Sequence, residues 1–364
     1  MRILHISTEK AWGGGEQQIA YLLEELRDKA DVELYVACRS GSAFETNCRE
    51  KMQTYRSFSF RNTLDVRSIL KLRKYCIEHS IDIIHAHSGK GHSFAVLASL
   101  LGAKAKLVVS RRVAFELKDD FFTRWKFNYS GVKKIVCVSD KVKEITGKKV
   151  ADKRKLVTVY SGIDTDKFRP FLGSNFLRKH YPASGSRFLV GNIGSLLKIK
   201  DQATFVRAAE VLLDKGLPIH FFIIGEGPEK ASLEELIYRK KLNEHITMTG
   251  FLTNIPEALP SLDLFVMSSL NEGLGTSILD AFAAHVPVAA TRVGAIPELV
   301  AHGRTGLLSE AGNAEELAGN IERLYLDSSL CKHVREGALE KLSHFNYKET
   351  ARRTIELYRE VMAD

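Results

Sequence analysis

A glycine-containing loop between a buried strand and a helix is the part of this sequence whose residue types best suit ligand binding. The loop occupies residues 271–277 and reads Asn-Glu-Gly-Leu-Gly-Thr-Ser, after which a helical pattern continues. Glycines let backbone amides approach a ligand closely, and a helix N-terminus offers unpaired N–H groups and the positive end of the helix dipole. The stretch therefore predicts a diphosphate site flanked by carboxylates, formed by Glu272, Gly273, Leu274, Gly275, Thr276, Ser277 and Asp280.

Three polar side chains of the first half follow buried apolar runs. His87 comes after the run at 83–86, and Arg111 and Arg112 come after the run at 107–109. Open parallel sheets bind ligands at the carboxyl ends of their strands, so all three side chains could face a pocket. Two interpretations stay open for each position. His87 is either structural or part of a site, and the arginines either form surface ion pairs or bind a phosphate or carboxylate.

Short apolar runs alternate with helical patterns in both halves of the chain, and these elements must position the loops. Strands that are buried on both faces read as continuous apolar runs. Their alternation with helices implies right-handed crossovers into a parallel sheet. The sequence therefore predicts an α/β protein with two doubly wound parallel sheets, whose strands begin at Ile3, Val32, Ile81, Leu107, Ile135, Phe188, His220, Leu264 and Val286.

The length of 364 residues exceeds what a single core usually reaches. The alternating pattern breaks at 160–170, where Gly, Asp and Pro cluster. We therefore expect a Rossmann-like domain over residues 1–165 and a second over 166–345, with the ligand in the cleft between them. The last segment, 346–364, is predicted to form a helix that packs back on the first domain.

The sequence resembles the retaining glycosyltransferases of family 4, which have the GT-B fold of two Rossmann-like domains facing across a cleft. The family signature is a Glu, seven intervening residues and a second Glu, in a context such as E-G-x-G. The match starts at Glu272 but ends in Asp280, which places the carboxylate one methylene short. Five further stretches match in family order, at residues 13–16, 161–164, 225–228, 286–300 and 303–308.

The resemblance assigns the donor to loops of the second half. The family loop after the first strand of that domain reads G-R-L-x-x-x-K, with Arg and Lys on the donor diphosphate. Here Lys200 holds the Lys position and Ser195 replaces the Arg. Lys200 is therefore expected to stabilise the charge on the leaving diphosphate. The resemblance also places Gly225 and the backbone around Phe251 at the donor, with Phe251 near the base.

In the signature stretch, Glu272 is expected to orient the hydroxyls of the donor sugar and Asp280 to hold the ribose. Gly14 and Gly15 are similar to the family loop that closes over the diphosphate, although an ordinary tight turn remains an alternative. Relatives often carry a His where Arg111 and Arg112 stand, which is the largest departure from the family. The predicted acceptor side comprises His87, Arg111 and Arg112, and the predicted catalytic residues are Lys200, Glu272, Arg111 and Arg112.

The resemblance implies transfer of a sugar from a nucleotide diphosphate sugar to an acceptor hydroxyl, with retention of anomeric configuration. It implies no cofactor and no protein-bound metal, and it suggests a role in cell-surface polysaccharide or glycolipid synthesis. Two alternatives remain, a GT-B nucleotide-sugar epimerase and a non-catalytic nucleotide-sugar-binding protein. An epimerase needs acid and base residues on both sides of the bound sugar, and no carboxylate pair of the sequence has that layout.

Positive charge is concentrated in the first half. Residues 1–160 contain 30 Lys and Arg against 18 Asp and Glu, whereas the remainder contains 23 against 26. The excess favours a lipid-linked or otherwise anionic acceptor, or contact with an anionic membrane, over a neutral partner, while a solvated basic face remains an alternative. The predicted membrane surface combines the helix at 65–78 with the aromatic and basic stretch before it, through Arg67, Lys71, Lys74, Lys51, Arg56, Arg61, Tyr55, Phe58 and Phe60.

The composition of the sequence argues against several other classes of protein. No run approaches the ~20 apolar residues of a membrane span, and the first residues do not form a secretory signal. We therefore expect a cytoplasmic protein that contacts the membrane peripherally at most. The five cysteines lack metal-binding spacing, which predicts neither disulfide nor structural metal. No nucleic-acid-binding motif accompanies the basic residues, so nucleic acid is not an expected partner.

Overall fold

The computed structural model describes residues 1–63 and 65–363 of the chain. It divides into two compact units, the first formed by Met1–Gly162 together with Tyr347–Asp364 and the second by Ile163–Asn346. Asp364, the last residue of the predicted C-terminal segment, lies outside the described residues. In the described part, no helix is both long enough and apolar enough to cross a bilayer.

Unit 1 is built on a sheet in which all described strand pairs are parallel. Its strands are β1 (Arg2–Ser7), β2 (Glu33–Arg39), β3 (Tyr55–Phe58), β4 (Ile83–Ala86), β5 (Lys106–Arg111), β6 (Val132–Cys137) and β7 (Leu156–Thr158). Their order in the sheet is β3-β2-β1-β4-β5-β6-β7. The order reverses direction between β1 and β4, which is the topological switch point where doubly wound sheets bind ligands.

The connecting helices of unit 1 are α1 (Gly14–Leu26), α2 (Ala43–Glu50), α3 (Val66–Glu78), α4 (Gly89–Leu100), α5 (Phe121–Asn128) and α6 (Asp140–Gly147). A Ser or Asp side chain caps the N-terminus of each helix from α2 to α6. Such caps satisfy a backbone N–H that has no partner within the helix. α1 differs, because it begins after Gly13 and has no side-chain cap.

Unit 2 has a second parallel sheet, with strands β8 (Phe188–Ile193), β9 (Ile219–Ile224), β10 (Ile246–Gly250), β11 (Leu264–Met267), β12 (Val288–Thr291) and β13 (Leu307–Ser309). The strand order is β10-β9-β8-β11-β12-β13. This is the Rossmann order, with its switch point between β8 and β11. The prediction of an α/β protein with two doubly wound parallel sheets is therefore confirmed.

The helices of unit 2 are α7 (Phe176–His180), α8 (Gln202–Asp214), α9 (Lys230–Arg239), α10 (Ile255–Ala258), α11 (Thr276–Ala283), α12 (Ile296–Leu299), α13 (Ala314–Leu326) and α14 (Ser328–Leu342). Short 3-10 turns occur at Lys153–Lys155 in unit 1 and, in unit 2, at Asp166–Phe171, Pro182–Ser184, Lys198–Lys200 and Leu259–Ser261. The last helix, α15 (Tyr347–Ala363), returns to unit 1. Its Tyr358 packs in one core cluster with Ile3 and Ile83 of the sheet.

Every strand predicted from the sequence is present, and all of them are inner strands. The strands that the sequence did not indicate are β3, β7, β10 and β13, which are the edges of the two sheets. One part of the predicted membrane surface is wrong. Phe58 and Phe60 are 2% and 0% exposed and stack on each other at 5.1 Å, so they belong to the core and cannot contact lipid.

Candidate functional site

The switch point of unit 2 brings together the two loops that the sequence singled out. β8 leads into the 3-10 turn that ends at Lys200, and β11 leads into the loop that contains Glu272. Because β8 and β11 are adjacent and parallel, both loops leave the sheet at the same edge. Lys200 and Glu272 lie 72 residues apart in sequence but meet at this edge.

Lys200 and Glu272 form a direct ion pair. Lys200 Nζ lies 2.5 Å from Glu272 Oε1, and the side chains are only 27% and 10% exposed. Ser269 Oγ donates a second hydrogen bond of 2.7 Å to the same oxygen. The cation and the carboxylate are thus held side by side in a partly desolvated position, where electrostatic interactions are stronger than in water.

Hydrogen bonds to backbone carbonyls hold the loops that carry this pair. Ser268 Oγ donates to the carbonyl of Lys200 at 3.1 Å, and Leu270 N–H donates to the carbonyl of Ile199 at 2.8 Å. From the loop after β12, Ala295 N–H donates to the carbonyl of Glu272 at 3.0 Å. The position of Glu272 is therefore fixed by hydrogen bonds among the loops after β8, β11 and β12.

Gly294 and Ser269 support the site but were not recognised from the sequence. Gly294 has a φ of +51°, and a Cβ at this position would overlap the carbonyl oxygen of Glu272. Thr291 Oγ1 donates to the carbonyl of Ser269 at 2.6 Å. The only sequence signal for Gly294 was its location in the matching stretch at 286–300, and Ser269 was close to the stretch that starts at Glu272.

The helix start predicted to bind a diphosphate is present at α11. Its N-cap is Gly275, with a φ of +86° and no side chain to occupy the helix end. The first N–H groups of a helix have no acceptor within the helix, so Thr276 and Ser277 present theirs at this end. One turn further, Asp280 Oδ1 pairs with Lys167 Nζ at 2.8 Å. Lys167 was not predicted as a site residue.

The other predicted donor residues occupy neighbouring loops of unit 2. Ser195 is exposed in the loop after β8, where its carbonyl accepts from Gln202 Nε2 at 3.2 Å. Gly225 follows β9 with a φ of +147°, and a Cβ there would overlap the carbonyl oxygen of Gly194, so only glycine fits. Phe251 follows β10 and is 67% exposed. These three loops all extend from the carboxyl edge of the sheet.

In unit 1, Gly14 and Gly15 lie in the first turn of α1 rather than in a loop before it. The helix starts earlier than predicted because Gln17 N–H already donates to the carbonyl of Gly13 at 3.0 Å. Glu16 follows them and is 6% exposed, with Ser7 Oγ donating to its carboxylate at 3.2 Å. Burial raises the pKa of Glu16 above its usual value.

Arg111 and Arg112 occupy different environments at the end of β5. Arg111 Nη2 donates to the carbonyl of Phe115 at 2.5 Å. Arg112 Nη2 lies 3.3 Å from His87 Nδ1, and its Nη1 lies 3.4 Å from Ser161 Oγ. Burial lowers the pKa of Arg112 to about 10. Among the described residues neither arginine pairs with a carboxylate, so the surface ion-pair interpretation is not supported.

One cluster in the described part of the chain has donor atoms close enough to hold a metal ion. His5, His85 and His87 are buried, and their ligand atoms lie within 4.8 Å of one another. The guanidinium of Arg112 beside His87 would repel a divalent cation, and His5 and His87 already hydrogen bond to each other at 2.9 Å. The geometry therefore favours hydrogen bonding between the rings over metal coordination.

Comparisons with known proteins define the class of this molecule. Residues 12–167 match the family model described as Glycosyltransferase Family 4, and residues 174–341 match the model described as Glycosyl transferases group 1. The two matches together account for most of the chain, so the protein is a glycosyltransferase with the GT-B fold. The chain belongs to glycosyltransferase family 4.

The curated relatives include glycosyltransferases with different substrates. The chain is 26% identical to N-acetyl-alpha-D-glucosaminyl L-malate synthase of Bacillus anthracis, over 82% of this chain and 80% of the relative. It is 25% identical to the UDP-Gal:alpha-D-GlcNAc-diphosphoundecaprenol alpha-1,3-galactosyltransferase of Escherichia coli, over 73% of this chain and 72% of the relative. Other relatives match over about half of their own length.

Solved structures share the fold over the whole chain. HepE from Anabaena, solved in complex with UDP and glucose, superimposes with a TM-score of 0.86 at 20% identity, covering 99% of this chain and 100% of HepE. Sucrose-phosphate synthase from Thermosynechococcus elongatus superimposes with a TM-score of 0.82 at 16% identity, covering 100% of this chain and 99% of that one. At these identities the likeness concerns the fold.

Proposed function

We propose that this glycosyltransferase transfers a sugar from a nucleotide diphosphate sugar to an acceptor hydroxyl, with retention of anomeric configuration. The observation that carries the proposal is the Lys200–Glu272 pair at the switch point of unit 2, beside the glycine-capped start of α11. A diphosphate needs cations and N–H donors, and a sugar needs a carboxylate acceptor for its hydroxyls. Retention is consistent with membership of family 4.

In the proposed reaction, the bond from the anomeric carbon to the diphosphate oxygen breaks as the acceptor oxygen attacks the same face of the sugar. The proton of the acceptor hydroxyl moves to an oxygen of the departing diphosphate, so no separate general base is needed. Lys200 and the N–H groups of Thr276 and Ser277 stabilise the negative charge on the leaving diphosphate. Glu272 accepts hydrogen bonds from the hydroxyls of the donor sugar and fixes its orientation.

For the nucleoside, we propose Asp280 as the acceptor of a ribose hydroxyl and the backbone around Phe251 as the neighbour of the base. Asp280 is anchored by its ion pair with Lys167, which orients the carboxylate. Gly225 supports this arrangement, because Gly225 N–H donates to the carbonyl of Gly250 at 2.9 Å and so joins the loops after β9 and β10.

On the acceptor side, we propose that Arg112 binds an anionic group of the substrate, with His87 beside it. The guanidinium of Arg112 is partly buried and has no carboxylate partner among the described residues, which suits it to a phosphate or carboxylate. The names of several relatives include acidic or phosphorylated acceptors, among them L-malate, D-inositol 3-phosphate and a diphosphoundecaprenol-linked sugar. The acceptor of this chain is therefore expected to carry a negative charge.

A panel of nucleotide sugars tests the proposal, starting with UDP-sugars because HepE was solved with UDP-glucose. We expect one donor to raise the unfolding temperature, since ligand binding to the folded state stabilises it. With an anionic acceptor, that donor should release its nucleoside diphosphate and form a product of retained configuration, also in the presence of a chelator. Conversion of the donor to its epimer would instead indicate an epimerase, and binding without turnover would indicate a binding protein.

We also propose that α3 allows peripheral contact with an anionic membrane. Arg67, Lys71 and Lys74 are exposed along one side of the helix, as expected from their spacing. Beside them lies an exposed apolar stripe formed by Val66, Leu70 and Ile77, each at least 50% exposed. A helix face with apolar residues next to cations suits the interface of an anionic bilayer. The excess of basic residues in the first half of the chain adds a long-range attraction.

Sedimentation with vesicles tests this contact. Binding should increase with the fraction of anionic lipid and decrease with salt. Replacement of Arg67, Lys71 and Lys74 by Ser should weaken binding about 10²-fold, because each basic residue near the surface contributes ~1 kcal/mol. Leu70→Ser should weaken it as well, whereas Leu326→Ser, at an apolar position of unit 2 that is 67% exposed, should not. Failure to sediment with anionic vesicles at low salt would favour a soluble acceptor.

A further inference from the structure

A row of polar side chains is buried on one face of the unit 1 sheet, at its carboxyl edge. In the register of the sheet, His5 of β1 lies opposite His85 of β4, and His85 lies opposite Val108 of β5. Side chains alternate between faces along a strand, so residues two and four positions further on point to the same side. Ser110, on β5, therefore shares this face with both histidines, and His87 and Arg112 continue it beyond the strand ends.

These side chains form a continuous set of hydrogen bonds. Tyr358 Oη of α15 lies 2.5 Å from His85 Nδ1, and His85 Nε2 lies 2.8 Å from Ser110 Oγ. Ser110 Oγ lies 3.5 Å from His87 Nδ1, the atom that Arg112 Nη2 approaches at 3.3 Å. The other nitrogen of His87, Nε2, lies 2.9 Å from His5 Nδ1.

The donor properties of arginine determine where the protons of this set lie. A guanidinium can only donate, so His87 Nδ1 must be unprotonated, and the proton of a neutral His87 must be on Nε2. His87 Nε2 then donates to His5 Nδ1, which places the proton of His5 on its Nε2. That nitrogen is buried and has no hydrogen-bond partner among the described residues.

The hydrogen bonds of Tyr358, His85 and Ser110 are consistent with these tautomers of His87 and His5. In the described structure, the phenol of Tyr358 has no hydrogen-bond acceptor other than His85 Nδ1. If Tyr358 donates to His85, then His85 donates to Ser110, and the hydroxyl of Ser110 points its proton towards His87 Nδ1. Burial lowers the pKa of His85 and His87 well below the usual value, which keeps both rings neutral, as the arrangement requires.

We propose that His87 is a positioning residue that holds Arg112 through its unprotonated Nδ1, and that His5 fixes the tautomer in which this is possible. The partners of Arg112 in this arrangement, His87 and Ser161, are both uncharged. A carboxylate partner would orient the guanidinium but would also neutralise it. Neutral partners leave its positive charge available for an anionic oxygen, and the carboxylate of nearby Glu16 accepts from Ser7 instead. The inference rests on the proposed role of Arg112 at the acceptor.

Nitrogen NMR of protein labelled with ¹⁵N at the histidine rings tests the tautomers directly. His87 should show an unprotonated Nδ1 and a protonated Nε2, and its signals are identified by their loss in the His87→Asn variant. His5 should show the same tautomer. A protonated Nδ1 on His87 would overturn the proposal. So would one equivalent of zinc in the purified protein that is lost in the His5→Ala variant, because the rings would then be metal ligands.

A double-mutant cycle with inorganic phosphate as the anion tests the link to Arg112. Both tryptophans, Trp12 and Trp125, lie in unit 1, so their fluorescence follows the unfolding of this unit and its stabilisation by phosphate. Arg112→Ala should weaken phosphate binding 10-fold or more, because hydrogen bonds to charged groups contribute about 1.5–3 kcal/mol. His87→Ala should cause a similar loss, and the double variant no further loss.

Two variants separate positioning from a merely structural role. His87→Asn should restore most of the phosphate affinity, because its side-chain oxygen can accept a hydrogen bond near the position of Nδ1. His92→Ala removes another buried histidine of unit 1, one that hydrogen bonds to the carbonyl of Lys126, and its effect should add to that of Arg112→Ala. Additive losses for His87 and Arg112, or no stabilisation of the wild type by phosphate, would contradict the inference. Neither NMR nor phosphate binding depends on turnover, so failure of the proposed function gives a different result.

Discussion

The charge, partial burial and position of Lys200 and Glu272 all fit the donor-binding roles proposed for them. The two side chains form an ion pair, and Ser269 donates a hydrogen bond that orients the carboxylate of Glu272. In the proposed function, this pair offers a cation to the phosphates and a carboxylate to the sugar from adjacent loops. The effects of replacing them should differ, because the cation is proposed to act on the leaving group and the carboxylate on the sugar.

Lys200→Ala should lower kcat by about 10²–10³-fold, because a single donor aimed at developing negative charge contributes about that much to the rate. Initial rates of nucleoside diphosphate release measure the effect, and thermal unfolding checks that the fold is kept. Lys215→Ala is the matched control, because Lys215 also forms a 2.5 Å ion pair in unit 2, with Glu322. An activity close to wild type in Lys200→Ala would remove this residue from the site.

Glu272→Ala should reduce the discrimination between donor sugars as well as the rate. A site built to hydrogen bond a sugar hydroxyl rejects an analogue that leaves the buried acceptor unpaired, and this selectivity disappears with the acceptor. The ratio of kcat/KM for two epimeric donors should fall by about 10-fold or more. Glu210→Ala, which removes a carboxylate paired with Lys240, should leave the ratio unchanged. An unaltered ratio in Glu272→Ala would mean that Glu272 does not contact the sugar.

At the scale of elements, the site depends on how closely the loops after β8, β11 and β12 approach one another. Hydrogen bonds join all three, and Gly294 and Gly225 stand where backbone from another loop leaves no room for a side chain. The helices α1 and α11 begin after a glycine and have no side-chain cap, unlike α2 to α6, α8, α13 and α14, which are capped by Ser, Asp or Asn. These features keep backbone groups accessible at the strand ends.

Gly294→Ala should lower both stability and activity. Its left-handed conformation costs a residue with a side chain about 1–2 kcal/mol, and the added Cβ would also displace the carbonyl of Glu272. A displacement near 1 Å in a catalytic group can lower the rate about 10²-fold. Gly216→Ala is the control, because Gly216 also has a positive φ, +76°, but nothing within 4 Å of its Cβ position. Gly216→Ala should therefore lower stability but not activity. Urea unfolding measures the stability of both variants, and kcat/KM measures their activity. Equal activity in the two variants would show that the contact with Glu272 is not needed.

At the scale of the whole molecule, buried histidines make stability depend on pH. Burial lowers the pKa of His5 and of His92 to about 3, and it lowers the pKa of His85 and His87 as well. All four lie in unit 1. The unfolded chain binds protons near the usual pKa of 6.5, while the folded chain keeps these rings neutral. The stabilising contribution is therefore complete above pH 6.5 and is lost as the pH falls towards 3.

The unfolding free energy of unit 1 should thus decrease by about 1.4 kcal/mol per pH unit for each such histidine below pH 6.5. Urea unfolding followed by tryptophan fluorescence between pH 7.5 and 5 measures the slope. His92→Gln keeps an N–H donor for the carbonyl of Lys126 but cannot titrate, so it should reduce the slope by one proton. Phe94→Leu, a core change in the same helix, should lower stability without altering the slope. An unchanged slope in His92→Gln would contradict the prediction.

The sequence alone was sufficient to predict the inner strands of both sheets and the loops with Lys200 and Glu272 that follow two of them. Because inner strands are buried on both faces, the sequence of each one contains a short apolar run. Three of the four missed edge strands, β3, β7 and β10, consist mostly of half-buried or exposed residues. The fourth, β13, is buried but has only 3 residues. These edge strands form because they pair with the outermost predicted strand of each sheet, which a local pattern does not show.

Only the tertiary structure decided which side chains meet. Lys200 and Glu272 contact each other because β8 and β11 are neighbours, an order that no local pattern contains. The hydrogen-bonded row from Tyr358 to Arg112 depends in the same way on β1, β4 and β5 lying side by side beneath α15. Local sequence determines which face of an element is apolar, whereas long-range pairing of strands determines which polar ends share a site.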